Sequence, residues 1–495
     1  MPDAMEALVE VIRRGLPGPE GGVRPLLEGL FGKRYQQRHF EKTMVRDAYA
    51  LASEADAGVP YAGLVQPDNP PSGPYGGTSL VWFPRGDPAG DGESLLALVV
   101  GTRGLSPDEG ILTRPGHRRR LAALRRLLSR QGVEAWTKPD PSALGVPLPK
   151  VAAERFPGFE NALRRYGNEV YCLARVPREP EAARPVVQAL LDLYAYERGW
   201  QPLKDAKSEF DAFHARLRDD LFPAVREKEV AGLLRRRRFV VLQGPPGTGK
   251  SRLARQILEN AFEGRGKTVQ FHPAVTYEDF VVGLSPDASR ESLRFEVRPG
   301  WLLQAVREAA AGPYLLVIDE LNRADLGKVL GEAIYLFEAG ELGGPKGRSV
   351  QLAHAVPGLD PLTLPENLFV LGTMNTADRS IASLDLAVRR RFAFVTLPPD
   401  RTVVAAGSTP LGLQLFDRLA DVFVEHAPDD ALDLFPGHSY FLAKTDADLK
   451  ERSRHELLPL LDEYLRQGFM GAAASELNAV RDALQDAAGS DAGRA

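Results

Sequence analysis

Short, continuous apolar runs recur through the second half of the chain. Phe239-Val240-Val241-Leu242, Leu315-Leu316-Val317-Ile318 and Leu368-Phe369-Val370-Leu371 are the clearest. Runs of this length bounded by turn signals such as Gly312-Pro313 read as strands covered on both faces, the habit of parallel sheets. Further strands are expected near 268–272 and 392–396, with helical periodicity in between. The alternation predicts a mainly parallel, doubly wound α/β sheet over residues 236–400. Ligands of such sheets bind at the carboxyl ends of the strands. A helix is expected over 326–339.

The flanking regions have other patterns. Residues 1–200 mix helical and strand periods and read as a separate α+β module. Helices are expected at 6–14, 24–31, 117–130 and 181–198, and strands at 79–83, 94–100 and 169–176. Loops are expected at 67–77 and 85–92, where Pro and Gly cluster. Residues 201–235 read as a linker of two helices, 205–218 and 222–235. Residues 401–495 read as a helical lid, with helices at 411–425 and 456–466. Pro459 falls near the start of the second, where it is tolerated. The tail from Asp486 is rich in Ala, Gly and Asp and is expected to fray.

The first apolar run leads into Gly244-Pro245-Pro246-Gly247-Thr248-Gly249-Lys250-Ser251, and a helix-like segment follows at 252–262. Strand, glycine-rich loop and helix together make the context of a P-loop. Glycines let the backbone curl so that several N–H groups face one phosphate chain, and the helix N-terminus adds a field that favours anions. Lys250 supplies a cation near the terminal phosphates, and the Ser251 hydroxyl suits Mg²⁺. These residues point to a nucleoside triphosphatase.

The second and third runs end in polar groups at the same edge. Asp319 closes one strand and can hold Mg²⁺, directly or through water. Glu320 follows and is placed to polarise an attacking water. Asn375 closes the next strand and can orient that water or touch the terminal phosphate. Arg389-Arg390-Arg391 follow downstream. Phosphoryl transfer gains from an arginine aimed at developing charge, often from a neighbouring subunit. The plainer reading is a solvated helix end, so at most one or two of the three are expected to be catalytic, with Arg390 and Arg391 preferred.

The segment 374–392, Met-Asn-Thr-Ala-Asp-Arg-Ser-Ile-Ala-Ser-Leu-Asp-Leu-Ala-Val-Arg-Arg-Arg-Phe, resembles the McrB family of AAA+ proteins. Tyr277-Glu278-Asp279-Phe280, Arg298-Pro299-Gly300, the stretch from Ile318 to Arg323 and Gly437-His438-Ser439-Tyr440-Phe441 match as well. Together they cover roughly residues 235–465. The resemblance implies a motor subunit of a modification-dependent restriction system. It implies a homo-hexameric ring that hydrolyses ATP or GTP with Mg²⁺ and works with a McrC-like nuclease subunit on DNA. It makes Lys250 and Ser251 the Walker A pair, Asp319 and Glu320 Walker B, and Asn375 sensor 1. Asp378 and Arg379 fall in the family's signature loop, and 389–391 in its arginine-finger region. Leu321 stands where many relatives have isoleucine. By analogy, the module at 1–200, which the resemblance does not cover, selects the DNA target. A rival class is a MoxR-like AAA+ chaperone that remodels a protein partner. It shares the P-loop and Walker B but not the signature loop in this form.

Composition narrows the picture modestly. The chain has 495 residues, 44% hydrophobic and 26% charged, enough for two or three domains. A net charge of −4 gives no global basic signature for nucleic acid, leaving local patches and a ring pore. The one cysteine, Cys172, excludes an intramolecular disulfide and reads as core. No apolar stretch approaches the ~20 residues of a membrane span, and the first residues do not read as a secretory signal. The cytoplasm is the expected compartment, with no membrane partner. Six arginines on 117–130 offer either a phosphate-contacting face or a solvated amphipathic helix, the second being favoured. Tyr75, Trp82, Trp136 and Tyr171 offer either a pocket for a flipped base or plain core, and core is favoured. His438 offers a nucleotide or subunit contact, or a structural role.

Overall fold

A computed structural model of the chain describes residues 4–15, 22–47, 59–65, 69, 75–85, 92–286, 295–343, 347–377 and 386–489. The chain divides into two compact units. One is Met1–Leu221 with Val424–His426, and the other is Phe222–Phe423 with Ala427–Ala495. The 201–235 stretch expected to link modules is itself divided between them. Its helix Lys204–Leu221 belongs to the first unit and its helix Glu227–Arg237 to the second.

The first unit is built on a six-stranded antiparallel sheet. Its strands are β1 (Met44–Asp47), β2 (Ala62–Val65), β3 (Thr78–Arg85), β4 (Glu93–Val100), β5 (Ala135–Thr137) and β6 (Val170–Arg175). Their order is β1-β2-β3-β4-β6-β5. One face packs on the helices Ala4–Arg13, Pro115–Arg130 and Pro180–Glu197, and the other is closed by Phe156, Phe159 and Leu163. With both faces covered, β3 and β4 are buried almost throughout. Trp82 and Tyr171 lie in the first core and Trp136 packs against the second, so these aromatics line no common pocket. The Tyr171 hydroxyl meets Thr78 Oγ1 at 2.5 Å. Cys172 is buried in the same core, where desolvation pushes its thiol up to about 12. Helix Pro115–Arg130 is less solvated than expected. Arg119 and Arg120 are buried, Arg120 pairs with Glu197 at 2.7 Å, and Arg126 and Arg130 converge on Asp220. The guanidinium groups of Arg120, Arg126 and Arg130 are engaged with the unit's own carboxylates, and Arg119 donates to Val424 O.

The second unit holds the parallel sheet. In chain order its strands are β7 (Phe239–Gly244), β8 (Gly266–Gln270), the hairpin β9 (Val282–Pro286) and β10 (Phe295–Pro299), β11 (Tyr314–Asp319), the small pair β12 (Ser349–Val350) and β13 (Leu362–Thr363), β14 (Leu368–Asn375) and β15 (Ala393–Thr396). The main sheet runs β15-β7-β14-β11-β8, and all four pairings are parallel. Alternate side chains of β7 serve opposite faces. Phe239 and Val241 enter one core, and Val240 and Leu242 enter the other with Leu253, Ala254 and Ile257 of the helix Lys250–Ala261. The sheet order sets the site, because β14 lies between β7 and β11. Asn375 therefore stands beside Gly244 on one side and reaches Glu320, just past the end of β11, on the other.

Two helix expectations need correction. The helix expected over 326–339 runs only from Leu326 to Leu330 and continues as a 3₁₀ turn, Gly331–Leu336. Gly331 has φ +50°, and a Cβ there would meet the Tyr277 ring at 2.9 Å, so the chain turns where helix periodicity alone would continue. The helix expected from 222 begins at Glu227, and 222–225 is irregular chain that borders a cleft described below. The lid is helical around Phe416, Phe423, Phe435, Phe441 and Leu461. Its helix Leu458–Arg466 follows a single π turn, Ser453–Leu457, which places Pro459 near the helix start. The last helix, Ala474–Gly489, runs past Asp486, where the tail was expected to fray.

Candidate nucleotide site

The P-loop takes its shape from three glycines with positive φ, Gly244 at +154°, Gly247 at +81° and Gly249 at +79°. Gly249 caps the helix that begins at Lys250, so the loop ends in unpaired helical N–H groups. Thr248 Oγ1 donates to Pro245 O at 3.0 Å and braces the curl. Lys250 is buried, and its Nζ donates to the carbonyls of Gly244 (2.9 Å) and Pro245 (2.7 Å). Burial lowers its pKa to about 8, while the carboxylates of Glu320 and Asp319 pull it upward. A buried cation resting on neutral carbonyls fits an anionic ligand that would stabilise its charge.

The acidic residues converge as the strand ends predict. Asp319 Oδ1 accepts from Ser251 Oγ at 2.7 Å and from Thr373 Oγ1 at 2.5 Å. Glu320 sits in the left-handed region at φ +55°, an uncommon place for a non-glycine residue, and its N–H donates to Thr373 Oγ1 at 3.1 Å. Asn375 Nδ2 donates to both oxygens of Glu320, at 2.9 and 3.1 Å, and Arg323 Nε lies 3.4 Å from Oε2. Among the described residues no cluster of three or more His, Cys, Asp or Glu side chains is set to hold a metal. The hydroxyl of Ser251 and the carboxylate of Asp319 are nevertheless the hard oxygen donors that suit Mg²⁺. That ion keeps much of its shell as water and phosphate oxygens.

The three arginines diverge. Arg389 lies over the Phe394 ring at 5.1 Å, and Arg390 is exposed. Arg391 is buried and donates to Ala387 O at 2.6 Å. Asp378 and Arg379 lie outside the described residues.

Sequence reasoning missed how closely the lid approaches the P-loop. Gly437 N–H donates to Pro246 O and Ser439 N–H to Gly247 O, both at 3.0 Å. Beside this contact lies a cleft of about 500 Å³, bordered by residues 222–225, Arg252, Gln256, Asp400 and His438. The Asp400 N–H donates to His438 Nδ1 at 3.3 Å, so in the neutral ring the proton sits on Nε2. Burial lowers the His438 pKa. Nothing in the local sequence of 222–225 marks a wall of this cleft, since the contact is tertiary.

This fold and this arrangement of residues define a P-loop nucleoside triphosphatase of the AAA+ class. Residues 239–392 match the AAA domain of the dynein-related subfamily. The chain is 32% identical over 267 residues to the type IV methyl-directed restriction enzyme EcoKMcrB subunit of Escherichia coli K12, covering 51% of this chain and 57% of that one. It is 25% identical over 210 residues to the type II restriction enzyme BsuMI component YdiS of Bacillus subtilis 168, covering 35% of this chain and 61% of that one. The chain thus spans less than two thirds of the length of either relative. Hsp104 in the S. cerevisiae Hsp104:casein complex superposes with a TM-score of 0.26 at 14% identity, over 52% of this chain and 46% of that one, too loosely to bear on fold or function. The chain carries an AAA domain and is similar to these two restriction-enzyme components. No helix among the described residues is long and apolar enough to cross a membrane.

Proposed function

We propose that the chain is the Mg²⁺-dependent, ATP- or GTP-hydrolysing motor subunit of a restriction or phage-defence system. It would act as a homo-hexameric ring on DNA with a McrC-like nuclease, and the module at 1–200 would choose the target. The observation that carries the hydrolytic reading is the Asn375–Glu320 pair beside a buried Lys250. The restriction role is supported by the two relatives, both of which are components of restriction enzymes.

The proposed chemistry follows from the positions. The backbone N–H groups of Gly247, Thr248 and Gly249 and the Lys250 ammonium hold the phosphate chain. Mg²⁺, held by Ser251 and through Asp319, would neutralise charge on the terminal phosphates. Glu320, fixed by Asn375, takes a proton from the attacking water as its oxygen bonds to the γ-phosphorus. The bond to the bridging oxygen breaks and the nucleoside diphosphate leaves. Arg390 is exposed, and it would reach the site of a neighbouring subunit.

The test is hydrolysis of ATP and GTP side by side, with and without DNA, using Glu320→Gln as the blank. Turnover by the wild type and its loss in the variant, with nucleotide binding kept, is expected. Wild-type turnover by the variant would remove Glu320 from the role. DNA stimulation separates the motor from the MoxR-like alternative, in which a protein partner, not DNA, raises the rate.

A further inference from the structure

We infer that Thr373 is a positioning residue that sets both Walker B carboxylates through one hydroxyl. The inference rests on the hydrolytic reading above and adds to it a side chain that touches neither water nor nucleotide.

Thr373 lies on β14 and is almost fully buried. Parallel pairing of Ile318 with Gly372 brings it alongside the end of β11. Its hydroxyl has one proton to give and lone pairs to accept with, and both functions are used. It donates to Asp319 Oδ1 at 2.5 Å and accepts the Glu320 N–H at 3.1 Å. The first bond fixes the carboxylate that meets Ser251. The second pins the amide of a residue held at φ +55°, the turn that swings the Glu320 side chain toward Asn375. A left-handed non-glycine residue persists only when its surroundings over-determine it. Here the hydroxyl, the Asn375 amide and the 3₁₀ turn at Leu321–Arg323 do so together. A charge-assisted bond to a ligand carboxylate is the kind of outer contact whose loss reduces metal affinity or activity by roughly 10- to 100-fold.

The experiment compares Thr373→Val, Thr373→Ser and wild type in the full-length chain. Val keeps the branched shape and removes both bonds, whereas Ser keeps the hydroxyl and removes a methyl. Three quantities are read: nucleotide affinity in EDTA, the Mg²⁺ concentration for half-maximal turnover, and kcat at saturating Mg²⁺. The Val variant is expected to bind nucleotide normally in EDTA, to need roughly 10-fold more Mg²⁺, and to lose roughly 10- to 100-fold in kcat. Ser is expected to stay near wild type in all three. Unchanged Mg²⁺ dependence and kcat in Val overturn the inference. So does a Ser variant as impaired as Val, which would assign the effect to packing. If Val fails to fold, Thr373→Ala is read against Ser in its place. Absence of Mg²⁺-dependent turnover in the wild type would instead overturn the hydrolytic reading itself.

Discussion

Asn375 spans the carboxylate of Glu320, with Nδ2 2.9 Å from one oxygen and 3.1 Å from the other. The two residues come from adjacent strand ends, so the sheet sets their separation. An amide in this position orients the carboxylate without competing for a proton. Asn375→Ala should lower kcat by roughly 10- to 100-fold. Asn375→Asp should be worse, because it sets like charges in contact. Both variants should bind nucleotide as the wild type does. Steady-state hydrolysis with parallel fluorescent-nucleotide titration checks this, and equal rates for Ala and Asp would count against the orienting role.

The buried Lys250 gives the site a pH signature. Its pKa in the fold is about 8, against 10.5 for a free side chain. Because the folded value is the lower one, the folded chain holds fewer protons than the unfolded chain between those two pH values. Stability without ligand should therefore rise with pH across that window, the burial penalty being present in full below about pH 8. A phosphate chain beside Nζ favours the ammonium. Binding above pH 8 should take up a proton, and affinity should fall as the pH rises from 8 toward 10. Calorimetry in buffers of different ionisation heat measures the uptake directly. Affinity flat across that range would mean that the phosphates do not meet this amine.

Arg390 and Arg391 should separate cleanly. Arg391 is buried just past the helix Leu386–Arg389, where it donates to Ala387 O. Arg391→Ala should cost roughly 1–2 kcal/mol of stability, the ordinary range for losing packed and bonded atoms. Arg390→Ala should leave the melting temperature unchanged and abolish turnover. An equimolar mixture of Arg390→Ala and Lys250→Ala chains should recover part of the activity, each supplying what the other lacks at a shared site. Absence of recovery would place the effect of Arg390 within its own subunit.

Much of the α/β unit was legible because its strands are covered on both faces. A buried parallel strand must be apolar along its whole length, so β7, β11 and β14 announce themselves, and the polar residues closing them mark the ligand edge. Thr373 was not legible, since a threonine in a strand is an ordinary β-former and only the neighbouring strand reveals its two bonds. The break at Gly331 was hidden for a similar reason: the ring it avoids, Tyr277, comes from a distant part of the chain. The arginines of Pro115–Arg130 read as solvent-facing by period, yet Arg120 is buried because Glu197 waits on another helix. Periodicity reports a residue's face and is silent about what that face meets.

The same limit hid the contact between Gly437 and Gly247, which offers a sharp test of how the lid senses the phosphates. Gly437 has φ −61° and ψ 158°, a conformation open to any residue. Only space restricts it, for a Cβ there would stand 2.1 Å from Gly247 C and 2.3 Å from Gly247 O. Gly437→Ala therefore introduces no backbone strain of its own and acts by pushing the lid turn off the P-loop. The Gly437 and Ser439 amides, which now donate to Pro246 O and Gly247 O, should exchange with solvent faster in the variant. Nucleotide affinity should weaken, because the loop loses the brace on its outer side. The lid should still fold, since Phe435 and Phe441 pack in its own core. Gly340→Ala, where a Cβ meets nothing within 4 Å, serves as the neutral control. In the wild type, bound nucleotide should slow exchange at Gly437 and Ser439 together with the P-loop amides. If the loop is protected and these two are not, the lid turn is a passive neighbour, and motion must reach the lid by another route.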